Sequence, residues 1–545
     1  MRDHDERDRS TPRSAISRRR ALLATAAWAS VGSAASLLPS LAASRQTLRT
    51  ALATTRFGRI RGRVAEGVHV FKGVRYGADT RQRRFMPPLP PERWTKILDA
   101  TEYGASAPQA GESGPGSEDC LFLNVWTPGL RDGGKRPVMF YIHGGAYTRG
   151  TGSSPLYDGS RLCRRGDVVV VTVNHRLNAF GYLYLARLGG AQLADSGNAG
   201  MLDLVLALQW VREHAAEFGA DPDGIMLFGQ SGGGAKIATL LAMPAARGLF
   251  QRAATMSGQQ VTASGPLHAT ERARSLLAHL KIPAAEAERL RELEPARLLD
   301  ALGATDPILG GGSLYFGPVL DERTLLRHPF YPDAPAQSAG VPLIIGNTHD
   351  ETRTLIGSSD PGAFDLTWEA LPARLATELR ADISPELVVA EYRRLYPQYS
   401  PSDVFFSATT AGRSWRAAVV EAELRSAQGS PAFVYQLDWK SPRDGGKWGA
   451  AHTLDIPLVF DNVRAPGALS GAGADAQTMA DRMSEAFIAF ARSGNPNSSA
   501  AGGWEPYELP RRQTMVFDIP ARMVDDPRGP ERRLFAAVPF IQQGT

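Results

Sequence analysis

The sequence predicts an α/β fold: a large, mostly parallel central sheet with helices on both faces, interrupted by helical insertions. Three observations carry that prediction. Apolar runs of strand length alternate with stretches of helical periodicity, glycines close the helical stretches, and a glycine-rich turn joins one strand to one helix.

Taken in order, short β-type runs come first: TRFGRIRGRV, VHVFKGVRYG and, beyond the proline-rich connector FMPPLPPERW, CLFLNVW. VMFYIH (Val138–His143) and DVVVVTVN (Asp167–Asn174) are continuous apolar runs, the pattern of strands buried on both faces. NAGMLDLVLALQWVREHAAEFG (Asn198–Gly219) has apolar residues at helical spacing, and Gly219 closes it. GIMLFG follows as a strand and AKIATLLA as a helix, with FGQSGGG between them. VPLIIG (Val341–Gly346) and FVYQLDW (Phe433–Trp439) are two further strands, and TMADRMSEAFIAFARSG (Thr478–Gly494) is a late helix. Helix-rich insertions fall near residues 268–302 and 361–428, and the polar Ser470–Gln477 stretch reads as an exposed loop.

Residues 1–42 have a different character. SRRRALL precedes an uncharged, Ala-rich apolar stretch with small residues near Ala42, the pattern of a twin-arginine-type export signal. A retained membrane anchor is the alternative, weakened by Pro39 and by the many Ala and Ser. Residues 43–545 then read as a single domain, periplasmic or secreted, with no membrane span. Seven Arg and four Asp or Glu lie in residues 1–42, so of a formal charge of +5 only +2 remains for the rest. That balance argues against a nucleic-acid partner. Two cysteines, Cys120 and Cys163, can build neither a disulfide framework nor a zinc site, though one bridge between them stays open.

The stretch FGQSGGGAK (Phe228–Lys236) admits two chemistries. As a phosphate-binding loop it fails: Ala235 separates Gly234 from Lys236, and Ile237 stands where a metal-binding hydroxyl belongs. As G-x-S-x-G it is complete, and makes Ser231 a candidate nucleophile on a strand-to-helix turn. Such a serine needs backbone donors for an oxyanion, a histidine base and a carboxylate, in the chain order Ser, acid, His. YIHGGAY (Tyr141–Tyr147) supplies a glycine-rich turn after a buried strand. GNTHDET (Gly346–Thr352) places Asp350 and Glu351 at a strand's C-terminal end, where catalytic groups gather in open α/β sheets. His452, in GAAHTLDIPLVF, is then the only histidine further along the chain.

Together with VFKGVRYG, SEDCLFLNVWTP, FGADPDGIMLFGQSGGG, FGPVLD and FARSGNPN, these motifs resemble the type-B carboxylesterases, the cholinesterase-like α/β-hydrolases, and most of all their bacterial para-nitrobenzyl-esterase branch. The likeness runs from about Thr54 to Trp504. It implies an α/β-hydrolase fold and a serine carboxylic-ester hydrolase that needs no metal or organic cofactor and acts on a small-molecule ester. Ser231 would be the nucleophile, His452 the base, and Glu351, in preference to Asp350, the carboxylate. Gly145, Ala146 and Gly232 would supply the oxyanion N–H groups, and Ser257 would help hold the histidine–carboxylate pair. An amide, lactone or carbamate hydrolase using the same residues is the alternative, and a non-catalytic binding domain a remoter one.

Several positions depart from the family pattern. Gln230 stands where Glu is usual before the serine, which removes an anion from beside the histidine. Gly232 replaces Ala, Thr352 and Thr453 replace glycines, and Ala107 replaces a cysteine that would pair with Cys120. The short span from Ala107 to Cys120 leaves no room for the long loop that walls a cholinesterase gorge, so an open mouth is expected.

Overall fold

The computed structural model describes residues 49–111, 116–498 and 502–545; the export signal read at 1–42 lies outside them. The described residues form one compact unit. Its frame is a 13-stranded mixed sheet. The N-terminal strands are β1 (Thr50–Thr54), β2 (Arg59–Ala65), β3 (Val68–Arg75), the two-residue β4 (Leu98–Asp99) and β5 (Phe122–Thr127). The central ones are β6 (Arg136–Ile142), β7 (Val169–Val173), β8 (Ala220–Gln230), β9 (Arg252–Met256), β10 (Leu343–Thr348) and β11 (Ala432–Leu437). Two more, β12 (Gln513–Phe517) and β13 (Arg522–Asp525), complete the far edge.

The order is β1-β2-β3-β5-β7-β6-β8-β9-β10-β11-β12-β13, with β4 beside β2. From β7 to β12 every neighbouring pair is parallel; the outer pairs β1-β2, β2-β3, β3-β5, β5-β7 and β12-β13 are antiparallel. A parallel run puts all its C-terminal strand ends along one edge, and the loops leaving that edge meet.

Alternate side chains of β6 enter different cores. Val138, Phe140 and Ile142 pack with Met201, Leu204 and Ile237 on one face, while Met139 and Tyr141 pack with Met483, Phe487 and Phe490 on the other. The helices responsible are Ala199–His214 and Gly232–Ala242 on the first face and Ala474–Ser493 on the second. Gly219 (φ 66°) and Gly494 (φ 79°) occupy the left-handed region, so each ends its helical segment as the sequence suggested. The Ala474–Ser493 helix begins inside the stretch read as an exposed loop; Ala476 and Met479 are buried against the second core, which favours helix over loop there.

The insertion beyond residue 361 builds a core of its own, in which Leu371, Leu375, Tyr392, Phe405 and Phe406 are buried together. Cys120 and Cys163 are buried free thiols, and burial pushes Cys163 up to about 12. Among the described residues no helix is long and apolar enough to cross a membrane.

Candidate active site

Ser231 follows β8 directly and precedes the Gly232–Ala242 helix, with φ 57° and ψ −128°. A non-glycine residue rarely adopts this conformation, and here its surroundings enforce it. The Ser231 N–H donates to the Met256 carbonyl at 2.8 Å, and its own carbonyl accepts from Ala235 N–H at 3.1 Å. Glycine is obligatory around the turn. A Cβ on Gly233 would lie 2.0 Å from the Ile142 oxygen, and one on Gly258 would lie 1.7 Å from the Ser231 oxygen. The serine is thereby pushed clear of the sheet edge into a cavity of about 370 Å³ that Ala146, Ser257 and His452 also line.

His452 lies on the loop after β11, and Glu351 opens the short helix Glu351–Leu355 after β10. The His452 Nδ1 hydrogen-bonds Glu351 Oε2. The other oxygen, Oε1, accepts from Thr348 N–H at 3.0 Å and from the Asn347 amide at 3.2 Å, so the carboxylate is oriented from both sides. Burial lowers the imidazole's proton affinity, but the Glu351 charge and hydrogen bond outweigh it and raise the pKa above the ordinary 6.5. Asp350 turns away instead. Its Oδ2 accepts Ala450 N–H at 2.9 Å and its Oδ1 meets His349 at 3.2 Å; despite burial, the His349 contact helps hold its carboxyl down to about 2. The two neighbouring acids thus divide: Glu351 meets the histidine, and Asp350 pins the loop that carries it.

The HGGAY turn leaves β6 next to β8. Among the described residues, the backbone N–H groups of Gly145, Ala146 and Gly232 donate to no acceptor. Ala146 and Gly232 line the cavity with Ser231, and unspent donors in that position make a setting suited to a developing negative oxygen. Lys236 fixes this arrangement from below. Fully buried, it donates from Nζ to the carbonyls of Ala146 at 2.6 Å and Gly232 at 3.2 Å. Burial lowers its pKa to about 7. The Ala146 carbonyl comes so close that a Cβ on Gly232 would sit 2.1 Å from its oxygen, so the glycine in place of the usual alanine is required here.

Gln230 and Ser257 differ from expectation. The Gln230 amide nitrogen lies 3.2 Å from His452 Nε2, the atom expected to face the serine, and Ser231 Oγ makes no hydrogen bond among the described residues. Ser257 lines the cavity, but its buried Oγ has no partner, so the anticipated link to the histidine–carboxylate pair is not formed. Behind the histidine, Asp455 is buried and pushed up to about 6, by burial first and further by the Glu351 charge. No group of three or more His, Cys, Asp or Glu among the described residues is placed to hold a metal ion.

The sequence profile of the Carboxylesterase family matches residues 49–533. This chain belongs to the carboxylesterase family. The esterase is 35% identical over 502 residues to the para-nitrobenzyl esterase of Bacillus subtilis (strain 168), covering 88% of this chain and 98% of that one. It is 33% identical to the phenmedipham hydrolase of Pseudarthrobacter oxydans, over 88% and 96% of the two chains. Among solved structures, a Geobacillus stearothermophilus carboxylesterase at pH 6.2 superposes with a TM-score of 0.79 at 37% identity, over 89% of this chain and 99% of that one. The esterase is accordingly a type-B carboxylic-ester hydrolase of the α/β-hydrolase fold.

Part of the cavity wall was illegible in sequence. Arg380, Arg413 and Ser414 come from the long insertion, and Phe540, Ile541, Gln542 and Gln543 from the C-terminal segment. That segment is tied down where Gln542 Oε1 accepts from Val261 N–H at 3.1 Å and Gly544 C=O accepts from Arg272 at 2.9 Å. No local pattern announces such contacts. Lys236 did carry a signal, as a lone charge in an otherwise apolar helix. A larger cavity, about 580 Å³, is lined by Lys72, Arg161 and Asp461 and contains none of the residues above.

Proposed function

We propose that the esterase cleaves carboxylic esters in two steps through an acyl-enzyme on Ser231. His452 Nε2, released from Gln230, takes the Ser231 proton as Oγ attacks the ester carbonyl. Glu351 holds the ring with its Nδ1–H directed away from the substrate and stabilises the imidazolium. The tetrahedral oxygen is received by the N–H groups of Gly145, Ala146 and Gly232, each such donor being worth about 3–4 kcal/mol in the transition state. His452 then protonates the departing alcohol, and water attacks the acyl-enzyme by the same route in reverse. Catalytic hydrogen bonds are often long before substrate binds, so the present Gln230–His452 contact is compatible with this path.

One observation supports the reading above the others: an accessible serine in a forced conformation, a histidine already paired with a buried glutamate, and the unspent N–H donors of Ala146 and Gly232 share one cavity. The expected result for Ser231→Ala is a loss of turnover on the order of a millionfold, together with loss of fluorophosphonate labelling. Ester hydrolysis above a few per cent of wild type would refute the assignment. Amides, lactones or carbamates could use the same groups, and a panel of such substrates ranks them.

The reading extends to location. SRRRALL and the apolar stretch after it support export by the twin-arginine route. Arg19→Lys with Arg20→Lys should hold the protein in the cytoplasm, as read by cell fractionation.

A further inference from the structure

The wall of the cavity facing Ser231 carries two arginines, Arg380 and Arg413, and no acidic residue lines it. Their proximity is built into the backbone. The helical run from Pro401 to Ala427 is interrupted at Ala411–Trp415 by a π-type turn in which Arg413 has φ −104° and ψ −116°. Single π-turns inside helices frequently mark functional sites. At the turn, Gly412 packs so closely on the preceding segment that a Cβ would lie 2.2 Å from the Leu379 carbonyl oxygen. Leu379 and Gly412 therefore deliver the next residue of each segment, Arg380 and Arg413, to the same stretch of wall.

The two cations are not equally satisfied. Arg413 pairs through Nη2 with Glu378, but its Nε is buried without a partner. Arg380 is exposed and makes no hydrogen bond or ion pair among the described residues. Although its surface is open to solvent, the protein packed around its head group and the charge of Arg413 both work against it, lowering it to about 10, still charged at neutral pH. Ser414 Oγ and Gln259 Oε1, also on the lining, are buried and unpaired. Glu378 answers one of the two charges, so a net positive charge is left over the cavity. A neutral ester can accept from the Ser414 hydroxyl but leaves that charge unanswered. A planar carboxylate answers the charge and offers two acceptors to the unpaired Arg380 guanidinium fork.

We propose that the cavity selects anionic esters, those bearing a carboxylate remote from the scissile bond, such as half-esters of dicarboxylic acids, with Arg380 as the principal contact and Arg413 supporting it. This rests on the ester-hydrolase reading above. A volume of about 370 Å³ suits a ligand of that size, near the lower end of the usual range.

The test compares the para-nitrophenyl half-ester of adipic acid with the same molecule capped as its methyl ester. The measured quantity is the ratio of the two kcat/KM values at fixed pH and ionic strength. The wild type should favour the anion by about tenfold, the scale of one charge-assisted contact, and rising salt should erode the ratio. Arg380→Gln should lower the ratio about tenfold, mainly through KM for the anion; Arg380→Lys should retain part of it, and Arg413→Gln should lower it less. A wild-type ratio at or below one, or a ratio unmoved by both glutamine variants and by salt, overturns the proposal while leaving the hydrolase intact. Failure of the wild type to cleave either ester overturns the hydrolase reading and this one with it. The wild-type ratio and its salt dependence decide the matter even if a variant does not fold.

Discussion

Around Ser231 the cavity is walled by backbone; around Arg413 it is walled by side chains. On the first side, each position lies within a few residues of a parallel strand's end or, for His452, on the loop that Asp350 pins, and glycines 232, 233 and 258 leave no room for a methyl group. On the second side, the wall comes from the insertion with its separate core and from residues 540–543, held by a few side-chain hydrogen bonds. The contrast assigns different work to each. Bond-making needs atoms fixed to fractions of an ångström, which strand ends provide. Selectivity needs walls that vary without disturbing that geometry.

Substitutions on the two sides should therefore differ in scale. Glu351→Gln should cost most after the serine itself, about ten-thousandfold in kcat, since an amide in its place favours the wrong imidazole tautomer. With the anion gone, the histidine's pKa falls, so the acidic limb of the kcat/KM profile should move to lower pH. Retention of that limb would break the link between Glu351 and His452.

Lys236→Met should be next, at about tenfold to a hundredfold in kcat, because the Ala146 and Gly232 carbonyls lose their common anchor and the oxyanion donors lose their aim. A stability measurement separates this from general damage. Lys236 releases its proton near pH 7 when folded and near 10.5 when unfolded, so the unfolded chain binds the extra proton between those values. Folding stability of the wild type should accordingly gain on that of the variant as pH rises from about 7, read by denaturant midpoints.

Gln230→Glu is a smaller change. It restores an anion against His452, raises the imidazole pKa, and should move the acidic limb up by about one pH unit. On the side-chain wall, Ile541→Ala removes a 57%-exposed residue from the lining. It should alter kcat/KM by only about threefold, and chiefly for esters with long acyl chains, as read across an acyl-length series. A hundredfold loss there would show the second wall to be as exacting as the first.

Much of this was legible before any coordinates. Apolar runs and helical periods identified the central strands and helices, because a residue buried on a sheet or helix face must repeat at that element's own spacing. G-x-S-x-G, HGG and the order Ser, acid, His were readable because a tight turn constrains its own few residues. The edge strands β12 and β13 escaped notice, being short and flanked by polar turns. The choice between Asp350 and Glu351 rested on resemblance alone, since adjacent acids on one loop look alike until Ala450 and His452 each claim one. Gln230 lying across His452, Lys236 beneath the HGGAY turn and Arg380 beside Arg413 were decided only by tertiary structure. Each joins residues far apart in the chain, and no local period or turn rule records which distant side chain will arrive.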